Sequence, residues 1–359
     1  MTARRRLLPL ALLVCALLAV YAVNKATRNA STGQATTEQP STAPPQASLS
    51  DPVPRMAIVY DLGGRGSAGF NELAYEGVKR AADAFSAELK EVIARTDDTD
   101  ADREARLSEL AEARYYPILV IDPTYAAALA KVAPKYPGIW FGIVDDGIVN
   151  APKVIGIQFN DEQGSFLVGA AAALTSKTGN VGFVAAVRTP LLQTFEAGFK
   201  AGVRAANPRV KVQVAYLSAP AASAGFSPAD ARKAALGMYD AGADVIFGAD
   251  GDSGSEVIQA AHDRGRWAIG VNTDQYLTAN PSVRGAILTS MLKRADVALY
   301  TITMEIANGI PKDGNNVFGL DRGGVGFSTS GGFVDPIKAQ LDAFAARIAS
   351  GQILVPTKP

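Results

Sequence analysis

Acids and amides stand just past the apolar runs of this sequence. Asp61 follows Met56–Tyr60, Asp122 follows Ile118–Ile121, and Asp145 and Asp146 follow Trp140–Val144. Asp250 and Asp252 follow Val245–Gly248, while Asn272 and Asp274 follow the run from Trp267. Phe70, Asn71 and Tyr125 lie just past such runs as well. A carboxylate can accept two hydroxyl hydrogen bonds, as a ribose or sugar needs. Aromatic rings stack on flat bases and on sugar faces. Lys293, in Thr289-Ser290-Met291-Leu292-Lys293, is expected at a helix start, where it would supply a fixed positive charge or simply face solvent. Any one acid at a strand end is accounted for by capping the next helix or turn. The set of acids, amide and aromatics together predicts a small-molecule cleft.

Other chemistries fit less well. The chain has one histidine, His262, in a helical stretch beside Asp263 and Arg264, and one cysteine, Cys15. A histidine-dependent triad or a multi-His/Cys metal centre is hard to build from these; oxidoreductase chemistry on a bound cofactor is not excluded by that count, but the expectation for the whole chain is binding and closure, with no enzyme chemistry and no cofactor. Gly64-Arg65-Gly66-Ser67-Ala68-Gly69 spells G-x-G-x-x-G between a strand and a helix. A dinucleotide site would add an acid past the next strand, where Asp97 and Asp98 stand somewhat late. Phe70 and Asn71 occupy the helix start, where a pyrophosphate wants bare backbone N–H groups. Lys plus Arg and Asp plus Glu both number 35, so no basic excess points to nucleic acid.

The elements that position these residues alternate. Strands are expected at Ala57–Tyr60, Glu91–Ala94, Ile118–Ile121, Trp140–Val144 and Val154–Phe159, with helices beginning near Asn71, Asp102, Tyr125 and Gln163. A second series has strands at Asn180–Ala186, Val210–Tyr216, Val245–Gly248, Trp267–Asn272 and Ala286–Ser290. Its helices are expected at Leu191–Ala206, Pro228–Ala241, Gly254–Arg264 and Leu292–Asn308. Short Val- and Ile-rich runs suit parallel strands buried on both faces. The expected fold is α/β, with two doubly wound, Rossmann-like parallel-sheet lobes joined by a hinge. With 359 residues and 48% hydrophobic content the chain can bury two such cores.

Ahead of the lobes, Arg4, Arg5 and Arg6 precede the apolar run Leu7–Val23, broken by Pro9. Residues 1–23 are therefore expected to be a signal peptide, cleaved after Ala22, or a membrane anchor, with the body outside the cytoplasm. Leu12-Leu13-Val14-Cys15 half resembles a lipobox, though Val14 is not the small residue expected there. Residues 24–54, rich in Thr, Ser, Pro and Gln, read as a flexible linker reaching about 30 Å r.m.s.. The expected lobes are 55–159 plus about 275–312, and 160–274 plus about 313–350. Hinge strands are expected near Asn160, near Asp274 and after Asn308.

Several stretches carry a resemblance. Asp61-Leu62-Gly63-Gly64 with Gly69-Phe70-Asn71 and Glu76-Gly77 looks like D-x-G-G…S-F-N…E-G. Gly164–Phe183, Phe195–Gly202, Gly242–Ile246 and Gly270–Gln275 follow in order and at matching spacing. From Met56 to Phe327 the chain resembles the basic membrane lipoprotein family, which includes the purine nucleoside receptor lipoproteins. The resemblance implies a type I periplasmic-binding-protein fold and a substrate-binding protein that delivers a nucleoside to an ABC transporter permease. It implies that Phe70 stacks on one face of the base and Phe226 on the other. Asn71 and Asp122 would hydrogen-bond the base, and Asp274 or Asn272, with Lys293, would hold ribose hydroxyls. Asp61 and Asp250 complete the candidate site from the strand ends. The chain departs from the family pattern at Arg65–Gly69 and at Asn272, where a carboxylate is usual, so ligand identity is less fixed than the fold. The alternative is a sugar or small-signal receptor module docking on a membrane sensor.

Overall fold

The computed structural model describes residues 54–60, 64–66, 69–145, 149–218, 228–249 and 251–359. Residues 1–53, with the expected signal or anchor segment and nearly all of the linker, lie outside the described residues, as do Asp61, Phe226 and Asp250.

The first sheet contains β1 (Arg55–Tyr60), β2 (Glu88–Ile93), β3 (Ile118–Val120), β4 (Phe141–Val144), β5 (Val154–Phe159) and β11 (Gly314–Phe318), in the order β11-β5-β4-β3-β1-β2. All its pairings are parallel. The second contains β6 (Asn180–Val187), β7 (Lys211–Ser218), β8 (Val245–Gly248), β9 (Trp267–Asn272), β10 (Ile287–Lys293) and β12 (Val325–Phe327), in the order β12-β10-β9-β8-β6-β7. Only β12 runs antiparallel. Each sheet places its second strand outside its first and its third inside, the doubly wound order with a switch point beside the first strand. The α/β architecture of two parallel-sheet lobes is as expected. Central strands lose all contact with water, as Met56–Tyr60 shows at 0% exposure. β2 differs: it is an edge strand with charged, part-exposed residues, so it starts earlier than its apolar core suggests.

The helices are α1 (Phe70–Ala84), α2 (Asp100–Glu112), α3 (Ala126–Val132), α4 (Asp161–Thr175), α5 (Pro190–Ala206), α6 (Pro228–Asp240), α7 (Gly251–Arg264), the single turn α8 (Gln275–Thr278), α9 (Ala295–Ala307) and α10 (Lys338–Ala349). Their starts have local causes. Thr99 and Asp102 form a reciprocal capping box at α2. Thr189 caps α5 by accepting from Leu192 N–H, with Pro190 at the first helical position.

α4 and α5 approach closely because glycines face the partner's backbone. A Cβ on Gly202 would overlap the carbonyl oxygen of Phe166, and one on Gly169 that of Phe199. Gly202→Val therefore forces the helices apart, and we expect a loss of about 2–3 kcal/mol. Urea unfolding checks this; a midpoint equal to wild type would show that the contact yields freely.

The chain crosses between the sheets after β5, between β10 and β11, and again between β11 and β12. Two expected boundaries therefore move. Residues 287–293 belong to the second sheet, so the second crossing falls at Lys293–Arg294 and not near Asp274. Gly314–Phe318 adds an edge strand to the first sheet, so the third crossing follows Phe318 and not Asn308. This strand was not expected because its sequence, GNNVF, is polar and half-exposed. α9 packs on α1 between these crossings.

Candidate functional site

Lys293 corrects the sequence reading most sharply. It is the last residue of β10, and α9 begins only at Ala295. It is 3% exposed, so it is neither a helix-start residue nor solvated. Its Nζ lies 2.8 Å from both carboxylate oxygens of Asp145 and 3.4 Å from Oδ2 of Asp161. The rings of Phe70 and Phe159 sit 5.2 and 5.0 Å from the same nitrogen. Phe70 and Phe159 meet edge to face at 6.1 Å. Asp145 directly follows β4 and Lys293 ends β10, so the carboxyl edges of the two sheets meet at this ion pair. Asp161 opens α4, directly after the first crossing.

A buried ammonium is tolerated only when paired. Burial alone pulls the Lys293 pKa down, but Asp145 and Asp161 outweigh it and hold the group above its ordinary value. Asp161 is treated oppositely. Burial dominates and pushes its carboxyl up to about 7, against the attraction of Lys293 and with Asp145 and Glu162 adding repulsion. Its Oδ1 is buried without a hydrogen bond. Lysine and acid are thus both raised: the bidentate bond belongs to Asp145, whose side chain is 22% exposed, and the more deeply buried Asp161 ionises less readily than an ordinary carboxyl. Asp145 is held at φ +59°, a left-handed conformation costing a β-carbon residue on the order of 1 kcal/mol.

The other expected site residues divide. Asn71 is buried at the start of α1, and its Nδ2 donates to the Gly64 carbonyl at 2.9 Å, pinning the glycine turn. Asp122 lies two residues past β3, beside the first switch point, and accepts from Thr124 N–H at 2.8 Å and Thr124 Oγ1 at 2.7 Å. It caps the next turn, and the remaining lone pairs of its oxygens can still accept bonds. Asn272 takes φ +66° at the end of β9. Asp274 Oδ2 accepts from Ser328 Oγ at 2.7 Å and Ser330 Oγ at 2.6 Å, while its Oδ1 is buried and unbonded. Among the described residues no hydrogen bond or ion pair joins Asp274 to Lys293; the lysine's partners are Asp145 and Asp161.

One reading of the surrounding residues is corrected. Tyr125 is fully buried in the first lobe, its hydroxyl bonded to the Arg106 guanidinium, so it cannot stack on a ligand. Arg106 also grips Asp98 at 2.6 and 2.9 Å, holding that carboxyl down at about 2. The acid that a dinucleotide ribose would need is therefore engaged elsewhere. Arg65 of the glycine loop stacks on the Tyr75 ring at 3.8 Å and pairs with Glu72 and Glu91. Sequence reasoning missed Asp161 and Phe159 as site residues. The only signal was their place, Phe159-Asn160-Asp161, at a strand end leading into a helix.

The comparisons bear on the family and the fold. The profile of the family described as Bmp, ABC transporter substrate-binding protein PnrA-like, matches residues 55–358. The chain is 34% identical over 326 residues to the CD4+ T-cell-stimulating antigen of Listeria monocytogenes, covering 85% of this chain and 88% of that one. It is 28% identical over 323 residues to basic membrane protein A of Borreliella burgdorferi, covering 87% and 90%. A solute-binding protein of an ABC transporter system from Conexibacter woesei superposes with TM-score 0.70 at 22% identity, covering 85% of this chain and 99% of that one. At that identity the superposition speaks for the fold alone. A family of solute-binding proteins implies a small-molecule ligand, a transporter permease as partner, no bond chemistry, and a place outside the cytoplasm at the membrane. Among the described residues no helix is long and apolar enough to cross a membrane. The chain belongs to the family of PnrA-like ABC transporter substrate-binding proteins.

Proposed function

We propose that this protein binds a nucleoside, with a purine base, between its lobes and presents it to the permease. The observation that carries the reading is the buried Lys293 between Asp145 and Asp161, beneath Phe70 and Phe159, where the two sheets' carboxyl edges meet. The ion cluster can exchange hydrogen bonds with ribose hydroxyls, and Phe70 offers a ring to a base. Asn71 and Asp122 serve its polar edge, and Asn272 and Asp274 extend the second lobe's side; Asp61, Phe226 and Asp250, outside the described residues, stay ligand-contact candidates on the strength of the sequence. In this reading lobe 1 is 55–159 with 295–318, lobe 2 is 160–293 with 320–349, and the lobes close about the crossings. Residues 1–23 direct export and hold the protein at the membrane, by the apolar segment itself or through lipid on Cys15. Residues 24–54 are the tether.

The test is melting temperature of the full chain against nucleosides, free bases, sugars and NAD. Ligand at a hundredfold excess over Kd stabilises by about 2.7 kcal/mol. Purine nucleosides alone should shift the transition. Phe70→Ala should weaken binding about tenfold to a hundredfold, as loss of one stacked ring does, and Asp122→Ala should weaken it as well. A shift with sugars or NAD only, or unchanged affinity in both variants, would sink the nucleoside reading.

A further inference from the structure

The first turn of α4 carries two acids with different surroundings. Asp161 meets Lys293. Glu162, the next residue, lines a cavity of about 320 Å³ at the hinge, a volume at the lower end of those that hold small molecules. Glu162 is 9% exposed, and among the described residues its carboxyl has no partner beyond its own backbone N–H. Burial pushes its pKa up, as expected of a carboxyl lacking a cation.

The remaining walls define what would fit. Asn160 comes from the first crossing and Asp321 from the turn after β11, at the third. A Cβ on Gly319 would lie 2.7 Å from Asn160 Nδ2, 2.8 Å from Asp321 Oδ1 and 2.8 Å from Gln163 Oε1. These polar groups therefore converge over a bare backbone. Gln163 Oε1 is occupied by Leu320 N–H at 2.9 Å. The lining also includes apolar Ile353 and Val355 from the segment following α10. Among the described residues no lysine, arginine or histidine lines the cavity.

We propose that this hinge cavity is a second binding site, for a small protonated organic amine. The ammonium sits with the carboxylates of Glu162 and Asp321, and its alkyl part lies on Ile353 and Val355. An anion meets two carboxylates and no cation, and a bare metal ion leaves the apolar lining unfilled. The walls come from two of the crossings, so occupancy is linked to the angle between the lobes. The site needs no assumption about what the cleft binds.

Butylamine is the probe and butanol its neutral control, titrated by calorimetry into the full chain at neutral pH. Saturable binding of butylamine and none of butanol is expected. Glu162→Gln should weaken it at least tenfold. Asp321→Asn, at an exposed position that leaves the core untouched, should weaken it in the same direction. Phe70→Ala, in the cleft, should leave it unchanged. The proposal is overturned if butylamine does not bind, if butanol binds as well, or if Phe70→Ala abolishes binding while the Glu162 and Asp321 variants retain it.

Discussion

Lys293→Met destabilises the protein by about 3–5 kcal/mol, the cost of leaving a buried charge without its partner. Methionine keeps most of the volume, so the loss is electrostatic and not a cavity. Asp145 and Asp161 are left facing each other with no cation between them. Asp161 can escape by keeping its proton, so the penalty is smaller at pH 5 than at pH 8. Urea unfolding at the two values measures both effects. A loss below about 1 kcal/mol at pH 8, within the range of an exposed pair, would mean that the cluster is effectively solvated. The double variant with Asp145→Asn should recover part of the loss, because one of the two stranded charges is then gone.

Asp161→Asn has the opposite pH signature. The folded-state carboxyl titrates at about 7, above its ordinary 3.8. The folded state therefore holds a proton that the unfolded state has released. Protonated Asp161 imposes no penalty below about pH 4, and the cost of ionising it grows as pH rises to about 7 and stays constant beyond. With about 1.4 kcal/mol per unit, the upper bound is on the order of 4 kcal/mol. Asparagine does not titrate, so the variant should gain on wild type between about pH 4 and pH 7 and hold a constant advantage above that. A stability difference that is flat over that range would show that Lys293 keeps Asp161 ionised throughout. The two variants separate the roles of the pair: one removes the cation that the site needs, the other removes a charge that the site tolerates poorly.

Much of the architecture was legible in the sequence because it is local. Val154–Phe159, Val245–Gly248 and Trp267–Asn272 are strands with the expected ends, since an apolar run buried on both faces stops where solvent or a cap begins. The order of Gly164–Phe183 and Phe195–Gly202 carried the family, and the structure gives the physical reason: Gly169 and Gly202 let α4 and α5 touch backbone to backbone. Phe70, Asn71 and Asp122 were singled out for the cleft in the sequence because strand ends in a parallel sheet share one edge, and binding to the Phe70 and Asp122 variants is what tests that assignment.

What only the tertiary structure decided is which strand ends meet. Sequence could not show that Ile287–Lys293 continues as a strand, because its burial depends on β9 and β12 on either side. It could not show that Asp145, and not Asp274, neutralises Lys293, because the two are 148 positions apart and joined only across the lobes. It promoted Tyr125 to the cleft, although Arg106 draws its hydroxyl into the core. The polar strand Gly314–Phe318 took its identity from the neighbour it pairs with. Local pattern thus determined the elements and the edge on which they place their acids. Long-range pairing of buried charge, which no spacing in the chain encodes, brought Asp145 and Asp161 to Lys293.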